Sequence, residues 1–497
     1  MNNIVNITKL NESYCIISAS STVNRCIYNK YSEYKTGYFF NPKYKRKHWD
    51  GKIYVYDLLS NVLPIGLVKN LIAYLSENGI KYILNDFDDD FFFEKIDEEW
   101  YKQEIENNMK SVDFRPYQHQ DEATRICMEY KKGVLLSCTG SGKSLILYNS
   151  IRLLRKKNYK NILLVVPSIM LINQMYEDFK DYGFVDIDEE VERLGGGHKP
   201  TYEKPILIST WASLNNKKEM FFKKFDAVFI DECHQSSANV LSKVVKQCSN
   251  AVYKIGVTGT LPEGKSELLE IKSVLGEVLY ELKSSDLIDM GILTKIQIAN
   301  IILKYPIEFI SNNRNRSYHE EVKLVESYEK RNVIIDVILE KTDKKYNTLI
   351  LVNHLKHLKK IEEWFKEKHP EKTVYIINGS VKSEERDNIR VGIEEENGSI
   401  ILATFATMST GVNIPKLHNV ILYSNSKSKI KVLQSIGRGL RKHKTKNKIV
   451  LYDIIDDLSY ETNRGRVVKN YLLKHWEERL KYYRDQDFPY LNTKINI

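Results

Sequence analysis

Short, largely apolar runs alternate with longer amphipathic stretches through most of this chain. In the first half the runs are Val134–Leu136, Ile162–Val166, Ile206–Ile208, Ala227–Ile230 and Lys254–Val257. Apolar runs spaced by helix-length segments predict parallel strands buried on both faces. Each run ends in distinctive polar residues: T-G-S-G-K-S, P-S, S-T-W, D-E-C-H and T-G-T. Ligands of open α/β sheets bind at the carboxyl ends of strands. Five such endings therefore point to one shared site. From about Thr294 to Asp456 the pattern returns as Thr348–Val352, Val374–Ile377, Ile400–Ala403, Val420–Tyr423 and Ile449–Tyr452. The expected fold class is α/β, with two tandem parallel-sheet domains at residues 98–282 and 283–456.

The flanks read differently. Residues 1–97 mix β-like runs (Tyr14–Ser18, Lys52–Tyr56) with one helical stretch, Leu67–Ser76, and predict a small α+β domain. Within it, Tyr38–Lys52 interleaves Lys43, Lys45, Arg46, Lys47 and Lys52 with Phe39, Phe40, Tyr44 and Trp49. Cations meet phosphates and aromatics stack on bases; the alternative is a solvated hairpin with its aromatics in a small core. Asp86–Glu99 carries eight carboxylates and reads as an acidic linker at a domain boundary. Residues 457–497 are expected to form a basic helical segment. Val468, Tyr471, Leu472, Trp476, Leu480 and Tyr483 follow helical spacing, with Arg479 among the residues of a solvated basic face.

The first run leads into Ser137–Ser144, and Leu145–Tyr148 reads as a helix start. Strand, glycine-bearing loop and helix are the context of a phosphate-binding loop. Backbone N–H groups of Thr139, Gly140, Ser141 and Gly142, with the helix N-terminus, would meet phosphate oxygens. Lys143 would reach the β/γ-phosphates and Ser144 would offer a hydroxyl to Mg²⁺. The first glycine of the usual pattern is here Ser137.

Asp231 and Glu232 follow a buried strand, where Asp231 can hold Mg²⁺ and Glu232 can orient or deprotonate attacking water. His234 is placed to sense the γ-phosphate. In the second domain, Q-S-I-G-R-G-L-R (Gln434 to Arg441) puts Arg438 and Arg441 three apart on one helix face. Such cations can meet charge developing during phosphoryl transfer, with Arg441 as the finger and Arg438 its partner. Upstream, F-R-P-Y-Q-H-Q (Phe114 to Gln120) offers an aromatic and a glutamine for adenine, Gln120 being preferred over Gln118.

The chain has 497 residues and a net charge of +10, a modest excess that favours a polyanionic partner. The six cysteines form no C-x-x-C pair and read as free thiols of a reducing cytoplasm. No apolar stretch reaches the ~20 residues of a membrane span, and the N-terminus lacks a signal-peptide pattern. A cytoplasmic monomer with no membrane partner is expected.

The ordered set S-C-T-G-S-G-K-S, V-P-S, S-T-W, D-E-C-H, T-G-T, T-F-A-T-M-S-T-G-V-N-I-P and Q-S-I-G-R-G-L-R resembles the superfamily 2 helicases of DExH type. The resemblance covers roughly residues 114–456. The whole chain, through F-N-P-K-Y-K-R-K-H-W-D-G-K, Gly195–Gly197 and Y-L-L-K-H, resembles phage recombination and branch-migration helicases within that superfamily. It implies two RecA-like domains, a DNA-binding N-terminal domain, and ATP with Mg²⁺. It also implies ATP-driven remodelling of junctions, forks, D-loops and R-loops on branched, duplex or single-stranded DNA or RNA–DNA hybrid. Recombination and single-strand-binding proteins are candidate partners. By the same resemblance, Pro167, Ser168, Ser209, Thr210 and Thr404 would touch the nucleic-acid backbone, and Gly411 and Asn413 the nucleotide. Thr258, Thr260, His234 and Gln434 would couple hydrolysis to movement. A duplex translocase that leaves strands paired, an RNA helicase, and a non-hydrolysing clamp are the competing readings.

Overall fold

The computed structural model describes residues 4–234, 238–379, 381, 383–408, 414, 416–425, 437, 440 and 442–497. The chain divides into two compact units, Met1–Leu282 and Lys283–Ile497.

A seven-stranded, wholly parallel sheet centres the first unit. From edge to edge its strands are Val278–Leu282, Lys132–Ser137, Tyr253–Thr258, Ala227–Asp231, Ile162–Val166, Ile206–Thr210 and Val191–Leu194. The five inner strands contain the five predicted runs. The two edge strands escape the pattern because an edge is covered less completely: Glu281 is exposed, and Arg193 half-exposed. Alternation along the pleat feeds two cores. Leu135, Leu164 and Phe229 face one, and Val134, Leu163 and Val228 the other.

Residues 5–85 add a mixed sheet ordered Val62–Pro64, Tyr14–Ser18, Val5–Lys9, Tyr82–Asn85. Its helix Val68–Glu77 matches the predicted one within a residue. This small domain docks on the parallel-sheet domain. Glu12 N donates to Ser249 O at 2.9 Å, and Lys254 Nζ donates to Ser13 Oγ at 2.7 Å. The acidic stretch expected to be a linker is instead a strap. Phe91 is buried in the small domain's core. Asp88 pairs with Lys9, Asp90 and Glu94 pair with Lys131, and Glu94 also pairs with Lys157. The carboxylates there answer local lysines, which a count of charges along the chain does not reveal.

The second unit holds another wholly parallel seven-stranded sheet. Its order is Val374–Ile377, Ile400–Thr404, Thr348–Val352, Asn419–Leu422, Lys448–Asp457, Lys295–Lys304, Tyr490–Asn496. The expected helical tail is helical only over Tyr471–Asp485; Tyr490–Asn496 then joins the sheet beside Lys295–Lys304. Nor is Arg479 on a solvated face. It is buried, and its guanidinium donates to both Asp453 oxygens, at 2.9 and 2.8 Å. Two tandem parallel α/β domains with a small mixed-sheet domain are thus the architecture. Among the described residues no helix is long and apolar enough to cross a membrane.

Candidate active site

The strand Lys132–Ser137 delivers the phosphate loop and the helix Lys143–Lys156 receives it. Gly140 and Gly142 take φ of 89° and 80°, a left-handed backbone that other residues adopt only under strain. At Gly142 a Cβ would lie 2.1 Å from Gln120 Nε2. Ser137, the departure from the usual pattern, braces the loop: its buried hydroxyl donates to Ser141 Oγ at 2.7 Å.

Gln120 closes the loop from the other side. Its Nε2 donates to Ser141 O at 2.8 Å, and its Oε1 accepts from Tyr117 N at 2.9 Å. Gln118 is exposed, so Gln120 is the glutamine that meets the loop. The sequence reading missed His119. Its Nε2 lies 3.0 Å from Ser141 O, and because a carbonyl only accepts, Nε2 carries the proton. Tyr182 was missed too; its hydroxyl is 2.7 Å from Ser144 Oγ. No local motif marks Tyr182, since it lies at the far end of the helix Ile169–Asp181.

The strand carrying Asp231 is two places from the loop strand, with Tyr253–Thr258 between them. Lys143 Nζ lies 3.4 Å from both Glu232 Oε1 and Ser137 O. Burial opposes the Glu232 anion, but Lys143 and then His234 outweigh it and hold the carboxyl well below the usual range. Asp231 moves the other way, pushed up by burial and then by Glu232, with Lys143 opposing. Glu232 has φ of 48°, a strained backbone of the sort concentrated at functional sites. The intervening strand supplies a hub. Thr258 Oγ1 lies 2.5 Å from His234 Nδ1, 3.2 Å from Glu232 Oε2 and 2.9 Å from Thr260 O. One hydroxyl proton cannot serve both acceptors at once, so the hub has alternative arrangements.

Other expected residues are placed as follows. Ser168 caps the helix Ile169–Asp181 and accepts from Leu171 N at 3.4 Å, and Pro167 precedes it. Ser209, Thr210 and Thr404 are buried. Their hydroxyls hydrogen-bond within the fold. Ser209 donates to Leu194 O, and Thr210 and Thr404 cap the short helices that follow them. Gly411, Asn413, Gln434, Arg438 and Arg441 lie outside the described residues.

The basic-aromatic segment forms the long loop of a hairpin rather than its strands. Tyr38–Phe40 forms a 3₁₀ turn and Pro42–Lys45 one helical turn, capped by Asn41. It is carried on the two-stranded ladder Ser32–Tyr34 with Lys52–Tyr54. Tyr34, Tyr38 and Tyr44 pack on one another, and Trp49 Nε1 donates to Lys52 O at 2.8 Å. Phe39 and Phe40 remain 51% and 73% exposed. Lys43, Lys45, Arg46 and Lys47 are exposed with no ion pair among the described residues.

Comparison with known proteins supplies the family. "DNA helicase UvsW, N-terminal" matches residues 5–85, "Type III restriction enzyme, res subunit" residues 111–263, and "Helicase conserved C-terminal domain" residues 329–443. The ATP-dependent DNA helicase uvsW of Enterobacteria phage T4 is 31% identical over 474 residues, covering 93% of each chain. The chain belongs to the UvsW family of ATP-dependent DNA helicases. The crystal structure of T4 UvsW aligns with a TM-score of 0.52 at 27% identity, covering 99% of both chains. A more distant relative is the DNA 3'-5' translocase XPB2 of Sulfurisphaera tokodaii, 23% identical over 71% of this chain and 87% of its own. Membership assigns ATP-dependent helicase activity and explains why a phosphate loop, D-E-C-H and the basic-aromatic arm occur on one chain.

Proposed function

We propose that this helicase uses ATP hydrolysis to remodel branched nucleic acid: four-way junctions, forks, D-loops and R-loops. The observation that carries this reading is the arm of residues 38–52, with exposed Lys43, Lys45, Arg46 and Lys47 and exposed Phe39 and Phe40, on a domain docked against the ATP-binding domain. A binding arm fixed to one lobe of a motor can hold one part of a branched substrate while the motor acts on another. Duplex neutralisation by cations and base stacking by aromatics are the two contacts such a substrate offers.

In the hydrolytic step, Lys143 and the loop amides of Thr139–Ser144 hold phosphates, and Glu232 accepts the proton of attacking water. The left-handed backbone at Glu232 and its pairing with Lys143 fix the carboxylate's direction. The oxygen donors of Ser144 and Asp231 suit Mg²⁺, and a carboxyl pushed up by burial beside another carboxylate gains from a cation. That ion would neutralise phosphate charge. Arg438 and Arg441 supply the finger, Tyr117 stacks on adenine beside Gln120, and Pro167 with Ser168 meets the nucleic-acid backbone.

The test is ATPase activity and strand displacement measured in parallel on single strands, duplex, fork, four-way junction and R-loop. Branched substrates are expected to stimulate hydrolysis most and to be resolved into separate strands. ATPase stimulated by plain duplex without any displacement would favour a translocase that leaves strands paired.

A further inference from the structure

The helix Lys265–Leu275 begins five residues after Thr260, the last residue of T-G-T, and the small N-terminal domain grips it at both ends. At its start, Thr36 Oγ1 donates to Glu267 Oε2 at 2.9 Å, and Thr36 N donates to Ser266 Oγ at 3.3 Å. Ser266 is buried and donates to the same Glu267 oxygen at 2.7 Å. A Cβ at Gly264 would lie 2.0 Å from Glu267 Oε2 and 2.5 Å from Thr36 Oγ1, so a side chain there would displace this pair. At the helix's far end, a Cβ on Gly66 would lie 2.4 Å from Lys272 O. Between the two, Leu269 packs against the small domain's core.

Thr36 directly precedes the arm. Gly37, in the left-handed region at φ of 73°, turns the chain from Thr36 into Tyr38. On the other side, Thr260 answers the hub: its N–H donates to Thr258 Oγ1 at 3.3 Å, and that hydroxyl also touches Glu232 and His234. The connection from hub to junction is the chain itself: only Leu261, Pro262 and Glu263 separate Thr260 from Gly264. We propose that Thr36, through Ser266 and Glu267, is the positioning residue that couples occupancy of the basic-aromatic arm to the hydrolytic hub, so that nucleic acid on the arm stimulates ATP turnover. This rests on the reading that the arm binds nucleic acid.

Thr36 lies on neither the phosphate loop nor the arm's basic stretch, so a defect confined to stimulation reads coupling rather than chemistry or binding. Thr36→Val keeps the shape and removes the donor; Thr36→Ser restores it. The measurements are ATPase with and without a four-way junction, junction affinity across salt, and thermal unfolding as a check on the fold. Thr36→Val should keep basal turnover and junction affinity while its stimulation falls by about fivefold or more, the lower end of ordinary coupling between sites. Thr36→Ser should recover the stimulation. Glu267→Ala should behave as Thr36→Val, and the double variant should be no worse than either, since both break one link. Replacing Lys45, Arg46 and Lys47 by alanine, in a separate variant, reads the arm itself. An unchanged salt slope there would overturn the arm reading and this inference with it. A flattened slope there, with full stimulation in a folded Thr36→Val variant, would overturn this inference alone.

Discussion

Lys143 Nζ lies 3.4 Å from Glu232 Oε1, so the amine proposed to meet phosphate is paired with the carboxylate proposed to take the proton of water. A phosphate group arriving at the loop competes for the same amine. Occupancy of the loop is thereby linked to release of the carboxylate, and the two residues should fail in different ways. Lys143→Ala should abolish turnover and weaken nucleotide binding, because the phosphates lose a cation. Glu232→Gln should still bind nucleotide but hydrolyse it about 10²-fold more slowly or worse, the usual scale of a lost general base. Nucleotide binding by fluorescence beside steady-state ATPase separates them. Wild-type turnover in Glu232→Gln would remove that residue from the chemistry.

The loop's clamp gives a second prediction. Gly142→Ala adds a Cβ 2.1 Å from Gln120 Nε2 at a φ of 80°, so both sterics and backbone strain oppose it. The Gln120–Ser141 hydrogen bond must break or the loop must shift. Nucleotide affinity should fall at least about tenfold, a cost of roughly 1.4 kcal/mol. Gln120→Ala, which removes the obstacle as well as the bond, should partly relieve the Gly142→Ala defect when the two are combined. Titration of a fluorescent ATP analogue reads both. Additive losses in the double variant would mean that the clash is not what limits binding.

How far the sequence reached depends on burial. Runs such as Ile162–Val166 are enclosed on both faces and announce themselves by composition, whereas Tyr490–Asn496 lies at a sheet edge with Leu491 exposed and carries no such run. That Gln120, Lys143 and Glu232 gather around one loop was legible, because the loop and D-E-C-H each follow a buried strand of the same sheet. Tyr182 and His119 were not, since their contacts with Ser144 and Ser141 arise from helix packing across the loop. Nor does the chain alone reveal that the Ser209 and Thr404 hydroxyls bond within the fold. A hydroxyl at a strand end can face a ligand or cap the next helix, and the chain alone does not distinguish these.

The docking of the small domain carries a pH dependence. Lys254 is buried, with its amine on Ser13 Oγ and Val245 O, and burial lowers its pKa from 10.5 to about 7. Between those values the unfolded chain binds more protons than the folded one. Stability contributed at this site therefore rises with pH across that window, and the cost of burying the cation is fully present below about 7. Lys254→Met should raise the melting temperature by a few degrees near pH 6–7, and the gain should shrink as pH approaches 10. A constant gain across that range, followed by calorimetry, would show that the amine titrates normally within the interface.

The arm yields the sharpest measurement. Lys45, Arg46 and Lys47 stand exposed with no ion pair among the described residues, so a bound phosphate need not displace an internal carboxylate. Each duplex phosphate neutralised changes the slope of log affinity against log salt by about 0.9. Replacing all three by alanine should flatten that slope by roughly 2–3 if each meets a phosphate. Aromatic contacts release no counterions, so Phe40→Ala should weaken junction binding at every salt concentration while leaving the slope alone. Trp49 is the less clean probe: its indole N–H holds the Lys52 carbonyl, so Trp49→Ala would also loosen the arm's base. If the triple variant binds a four-way junction with the wild-type slope while its fold is intact, the arm is a solvated protrusion and nucleic acid is held by the two α/β domains alone.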